Sequence, residues 1–171
     1  KNPYQDVTDS SSYYEAVCYV TEKGLMNGTS ASTFSPDAAM TRAMMVTILW
    51  RMEKEPAALK SNFTDLTADW YRTAVDWAAE TGVVNGVGNG KFAPNATLSL
   101  EQLITILYRY AENKGYNVSK SASLDSFTDG SAVSAYAKPA MQWAVGMNFL
   151  SGNTLTPGAP ASRAQIAQVL M

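Results

Sequence analysis

The 171 residues are enough for one compact domain or a short array of small repeats. Apolar residues make up 46% and charged residues 16%, which supports a packed core and excludes a disordered chain. The net charge of −2 argues against a nucleic-acid binder, and the absence of histidine excludes Ser-His-Asp catalysis, Cys-His catalysis and His-ligated metal sites.

The chain opens on Tyr4-Gln5-Asp6, and Ala16, Val17 and Val20 then set one apolar stripe of a first helix. Cys18 lies in that stretch and reads as a small buried hydrophobe; a lone cysteine rules out an internal disulfide. Gly24 ends the helix as a residue tolerant of positive φ, at the head of the turn Gly24-Leu25-Met26-Asn27-Gly28. Phe34-Ser35-Pro36 follows, and Thr41 is the expected N-cap of a second, more apolar helix carrying Met45, Val46, Ile48, Leu49 and Met52. A linker with Pro56 is expected at about 53–62.

The same order recurs twice. Phe63-Thr64-Asp65 precedes Ala74, Val75 and Ala78, the turn Gly82-Val83-Val84-Asn85-Gly86, Phe92-Ala93-Pro94, and a second helix after Ser99. Phe127-Thr128-Asp129 precedes Ala140, Met141 and Ala144, then Asn148 to Gly152, Leu155-Thr156-Pro157, and a helix after Ser162. Asn148 stands where the other copies have glycine, and asparagine is the next best left-handed residue. A second linker, rich in Ser, Lys and Asn, falls at about 113–126. Ser99 with Gln102 and Ser162 with Gln165 complete capping boxes; Met44 in the partner position predicts a broken box in the first copy.

The expected architecture is all-α: three helix–loop–helix repeats, at 1–53, 60–112 and 124–171, around a pseudo-threefold central helix bundle. No apolar run is long enough for a transmembrane helix, so membrane insertion is not expected. The start at Lys1 without methionine reads as a fragment of a longer protein.

These spaced anchors resemble the S-layer homology family. The aromatic-x-Asp-Val opening is Tyr4-Gln5-Asp6-Val7, and the aromatic pair is matched best by Trp70-Tyr71, less well by Tyr13-Tyr14 and Tyr136-Ala137. The motif heading the second helix, Thr-Arg-Ala-Glu, is matched as Thr41-Arg42-Ala43-Met44 and Ser162-Arg163-Ala164-Gln165. Ser99-Leu100-Glu101-Gln102 departs from it at the arginine, and all three copies lack the closing glutamate. The resemblance implies a three-pronged all-α domain whose inter-repeat grooves bind secondary cell-wall polysaccharide attached to peptidoglycan, often pyruvylated. It implies a role for the motif arginine, matched by Arg42 and Arg163. The expected module is extracellular, on a bacterial surface, non-catalytic, without cofactor or metal, and monomeric on its own. The alternative is a structural or protein-interaction module that binds no glycan.

Each candidate site residue has a plainer reading beside it. Arg42 and Arg163, with Thr41 and Ser162, sit at a helix start, where a cation opposes the helix dipole. A pyruvyl carboxylate would compensate by taking a forked guanidinium contact and the open amides of the helix start; the plainer reading is an ion pair to Asp6, Asp65 or Asp129. Asn27-Gly28 and Asn85-Gly86 either present backbone to a sugar or simply turn the chain. Trp70 and Tyr13, at the head of the first helices, are candidate sugar platforms; Trp77 and Trp143 occupy matching positions and read as core. The three aspartates read as loop or helix caps rather than a glycosidase pair. The Asn-x-Ser/Thr triplets at Asn27, Asn62, Asn95 and Asn117 read as incidental.

Overall fold

The computed structural model describes residues 2–171, leaving out only Lys1 of the first expected repeat. Six α-helices account for its regular structure: α1 (Tyr14–Glu22), α2 (Arg42–Met52), α3 (Asp69–Thr81), α4 (Leu100–Asn113), α5 (Lys138–Gly146) and α6 (Arg163–Leu170). Two short 3-10 turns, Gly130–Ala132 and Ala135–Ala137, lead into α5, and no strand forms among the described residues. The chain is therefore all-α, two helices to each repeat.

The apolar stripes behave as their spacing demands. Ala16, Val17, Val20, Ala74, Val75, Ala78, Ala140, Met141 and Ala144 are all buried. The first helices stop on left-handed residues at Gly24 (φ 70°), Gly82 (φ 76°) and Asn148 (φ 64°), so asparagine does the work of glycine in the third copy. Cys18 is half-buried rather than enclosed, because its side of α1 is only partly covered.

Each second helix packs on the first helix of the following repeat: α2 on α3, α4 on α5, and α6 back on α1. The repeats thus close into a ring. At its centre three backbone hydrogen bonds run head to tail. Met40 N–H donates to Ala161 O (2.8 Å), Ala161 N–H to Leu98 O (2.9 Å) and Leu98 N–H to Met40 O (2.9 Å). All three residues are buried.

The helix starts are tied to the ring as well. The amides of Arg42 and Ala43 donate to Ala96 O and Pro94 O, those of Leu100 and Glu101 to Ala159 O and Pro157 O, and those of Arg163 and Ala164 to Ala38 O and Pro36 O. Thr41, Ser99 and Ser162 then cap the third amide through their side-chain oxygens. This corrects two expectations. The helix-start amides are not open to a ligand, because the neighbouring repeat's loop fills them. The first capping box is also complete, since Met44 Sδ accepts the Thr41 N–H at 3.5 Å.

Candidate functional site

Asp6, Asp65 and Asp129 hold the loops that precede the second helices. Asp6 accepts the amides of Phe34 (2.9 Å) and Ser35 (2.8 Å), Asp65 those of Phe92 (2.9 Å) and Ala93 (2.8 Å), and Asp129 those of Leu155 and Thr156 (both 2.8 Å). The second residue of each pair, Ser35, Ala93 or Thr156, is a non-glycine in the left-handed region, with φ of 56°, 58° and 47°. The carboxylates hold that strained backbone in place. Burial opposes the charge on Asp6 and Asp65, but the two amides outweigh it and keep each carboxyl below its ordinary pKa; on Asp129 the amides are the leading cause.

On these loops lie the two motif arginines, each reaching from the preceding repeat of the ring. Arg163 Nε donates to Phe34 O at 2.9 Å and Nη2 to Asn27 O; Arg42 Nε donates to Phe92 O at 2.9 Å and Nη2 to Asn85 O at 2.6 Å. Their guanidinium carbons lie 4.6 Å from the Phe34 ring centroid and 4.7 Å from that of Phe92. Burial lowers both arginine pKa values, opposed by Asp65 for Arg42 and by Tyr4 and Asp6 for Arg163. The ion pair to an aspartate, the plainer of the two readings, is absent: Glu53–Lys114 is the one salt bridge among the described residues. The aspartate and the arginine instead grip the same loop from opposite sides, one by its amides and one by its carbonyls.

Three grooves open between the repeats. Groove A, about 430 Å³, runs between α2 and α3 and is lined by the 25–29 turn, Met44, Arg51, Trp70 and Arg163. Groove B, about 300 Å³, repeats the plan with Asn85, Gly86, Gln102, Arg109, Tyr136 and Arg42. Groove C, about 400 Å³, has Leu100 in the arginine position, amide side chains from Asn148, Gln165 and Gln168, and no lysine or arginine in its lining. Its turn is also cut short, with Leu155 three residues after Gly152 where Phe34 and Phe92 stand six after Gly28 and Gly86.

The structure thus brings Arg163, Trp70, Asn27 and Gly28 together in groove A, and Arg42, Asn85 and Gly86 in groove B. It does not bring in the rest. The Thr41 and Ser162 oxygens are occupied by helix caps, and Tyr13 lies half-buried on the core before α1, while Tyr14 faces a shallow pocket with Gln168. Trp70 is 52% exposed and Tyr136, its counterpart in groove B, 55% exposed. Tyr136 is held by Glu101, which accepts its hydroxyl at 3.3 Å and the Ser134 hydroxyl at 2.6 Å. A weak match to an aromatic pair was the only signal for Tyr136, and Arg51 and Arg109 gave none. Both turn glycines have a steric reason: a Cβ on Gly28 would lie 2.5 Å from Tyr4 Cε1, and one on Gly86 2.5 Å from Phe63 Cε1.

Residues 3–44, 62–104 and 126–167 match the S-layer homology domain, one match in each repeat. The chain belongs to the S-layer homology family. An endoglucanase of Bacillus sp. (strain KSM-635) is 31% identical over 175 residues, covering 98% of this chain and 18% of the relative. The surface-layer 125 kDa protein of Lysinibacillus sphaericus is 31% identical over 162 residues, 91% of this chain and 13% of its own length. A cellulosome-anchoring protein of Acetivibrio thermocellus is 26% identical over 120 residues, 67% of this chain and 27% of its own. The S-layer homology repeats therefore span less than a fifth of the first two relatives.

Proposed function

We propose that this chain is a non-catalytic module that holds a larger protein on a bacterial surface by binding an acidic secondary cell-wall polysaccharide in grooves A and B. The carrying observation is that both grooves join an arginine laid on the turn (buried Arg163 in A, half-buried Arg42 in B), an exposed aromatic ring and a glycine turn, whereas groove C has no cation in its lining. A pyranose can stack on Trp70 or Tyr136 while the turn backbone and the arginines meet its polar edge. A pyruvyl ketal is one carboxylate of the right kind. The names of the relatives support the reading: a surface-layer protein and a cellulosome-anchoring protein share these repeats, and an endoglucanase carries them in a small fraction of its length. No helix among the described residues is long and apolar enough to cross a membrane.

The test is sedimentation of the chain with purified wall sacculi, before and after the secondary polymer is stripped by acid. Binding to the intact sacculi and release from the stripped ones is the expected result. Equal binding to both, or none to either, would refute it.

A further inference from the structure

The second residue after each second-helix cap is alanine in two repeats and an acid in the other: Ala43, Glu101 and Ala164. All three are buried, Glu101 with 7% of its surface exposed. A carboxylate there loses most of its hydration and must find donors. Glu101 finds three, all on the short turn that leads into α5. It accepts the Ser134 amide at 2.9 Å, the Ser134 hydroxyl at 2.6 Å and the Tyr136 hydroxyl at 3.3 Å. It forms no salt bridge, so these neutral donors and the start of α4 hold its charge.

Tyr136 is the exposed ring of groove B. Its hydroxyl has one proton, and that proton goes to Glu101 Oε2. Burial, then the charge and the hydrogen bond of Glu101, raise the Tyr136 pKa against a smaller pull from Arg109, so the proton stays on the oxygen. What the hydroxyl has left for the groove is its lone pairs. Turning the proton outward would take a donor from a buried carboxylate. Trp70, the ring in the matching place of groove A, has the opposite character: an indole N–H donates and cannot accept. Trp70 stands edge-on to Tyr71 with ring centroids 5.0 Å apart, and the α2 residue equivalent to Glu101 is Ala43, whose side chain offers no acceptor.

We infer that Glu101 is a positioning residue for groove B: by taking the Tyr136 hydroxyl proton it turns Tyr136 into a hydrogen-bond acceptor, which selects a sugar carrying an uncharged donor, a hydroxyl or an amide N–H, at the edge of the stacked ring. This rests on the polysaccharide reading and deepens it. Grooves A and B are then not copies of one site. Beside its aromatic face A offers a donor and B an acceptor, so the two favour different substituents on the polymer.

The experiment is calorimetry with the secondary polymer released from sacculi by acid. A Trp70→Ala background removes the platform of groove A, so that the titration reads groove B. Four chains complete a cycle: that background alone, with Glu101→Gln, with Tyr136→Phe, and with both. Tyr136→Phe keeps the ring and removes the acceptor, and affinity should fall about three- to tenfold. Glu101→Gln keeps the shape, but its amide donates to the Tyr136 oxygen and fills the acceptor, so the fall should be similar. The double variant should be no weaker than either single one, because the change at position 101 acts only through the hydroxyl. A merely structural role for Glu101 would cost the same with and without that hydroxyl, and this result overturns the inference. Undiminished affinity of the Tyr136→Phe chain also overturns it, and needs no variant of Glu101 to fold. So does binding that the unmodified chain shows and the Trp70→Ala background loses, since groove B then holds nothing. In each of these cases the anchoring reading survives; an unmodified chain that binds no polymer removes both.

Discussion

Truncating Arg163 would leave the carbonyls of Phe34 and Asn27 facing each other across an empty space in the interface between repeats three and one. Such charged hydrogen bonds contribute about 1.5–3 kcal/mol each context, so Arg163→Ala should destabilise the chain by roughly that amount. A denaturant midpoint lowered at unchanged slope is the expected reading, and an unchanged midpoint would show that the carbonyls find water. The aspartates make the complementary prediction in pH. Their folded pKa values lie below the unfolded value of about 3.9, so their stabilisation is fully present above that pH and is lost as pH falls through the folded values. Stability should hold between neutrality and about pH 5 and drop on further acidification, while Asp65→Asn should lower the neutral midpoint and flatten the acid limb. The aspartates and arginines stand out in the sequence because they recur. Their hydrogen-bond partners are backbone amides and carbonyls, which leave no mark in the sequence: Phe34 recurs as Phe92, but nothing in its spacing shows that Arg163, more than a hundred residues later in the chain, lies on its ring and its carbonyl.

The helix starts were easier to read. A threonine or serine followed three residues later by glutamine marks a start without reference to the rest of the fold, and Ser99 and Ser162 cap as that spacing requires. Asn148 was legible for a similar local reason. What spacing cannot tell is whether the first amides of a helix face solvent, and here each pair is covered by the next repeat. Nor does it show that a thioether can stand in for a carboxylate, as Met44 does for Thr41 N–H at 3.5 Å. Met44→Glu would replace a weak sulfur acceptor with a charged oxygen at a helix start, and should raise stability by about 0.5–1 kcal/mol in a denaturant titration. Met44 also lines groove A beside Arg51 and Arg163. The same variant should therefore bind acidic wall polymer more weakly, its new carboxylate competing for the arginines. A gain in stability with undiminished binding would place the ligand elsewhere.

Across the whole molecule the pseudo-threefold arrangement followed from counting anchors, but the contacts that close it did not. An open stack of three repeats and a closed ring share the same apolar stripes. Only the return of α6 onto α1 and the cycle through Met40, Ala161 and Leu98 separate them. An open solenoid loses an end repeat with little harm to its middle, because each repeat contacts only its neighbours. Here a chain ending at residue 123 would lose both neighbours of the gap at once, leaving the Met40, Leu100 and Glu101 amides without their acceptors. It should lack the cooperative melt and the near-ultraviolet dichroism of the full chain. A sharp transition in the truncated chain would mean that the ring is dispensable. The cycle of three hydrogen bonds also sets how such a protein can grow. A duplicated single repeat has no seat, because every inward-facing amide and carbonyl of the cycle already has its mate. Under the proposed reading, valency for a wall polymer then grows by copying the entire ring, three repeats at a time.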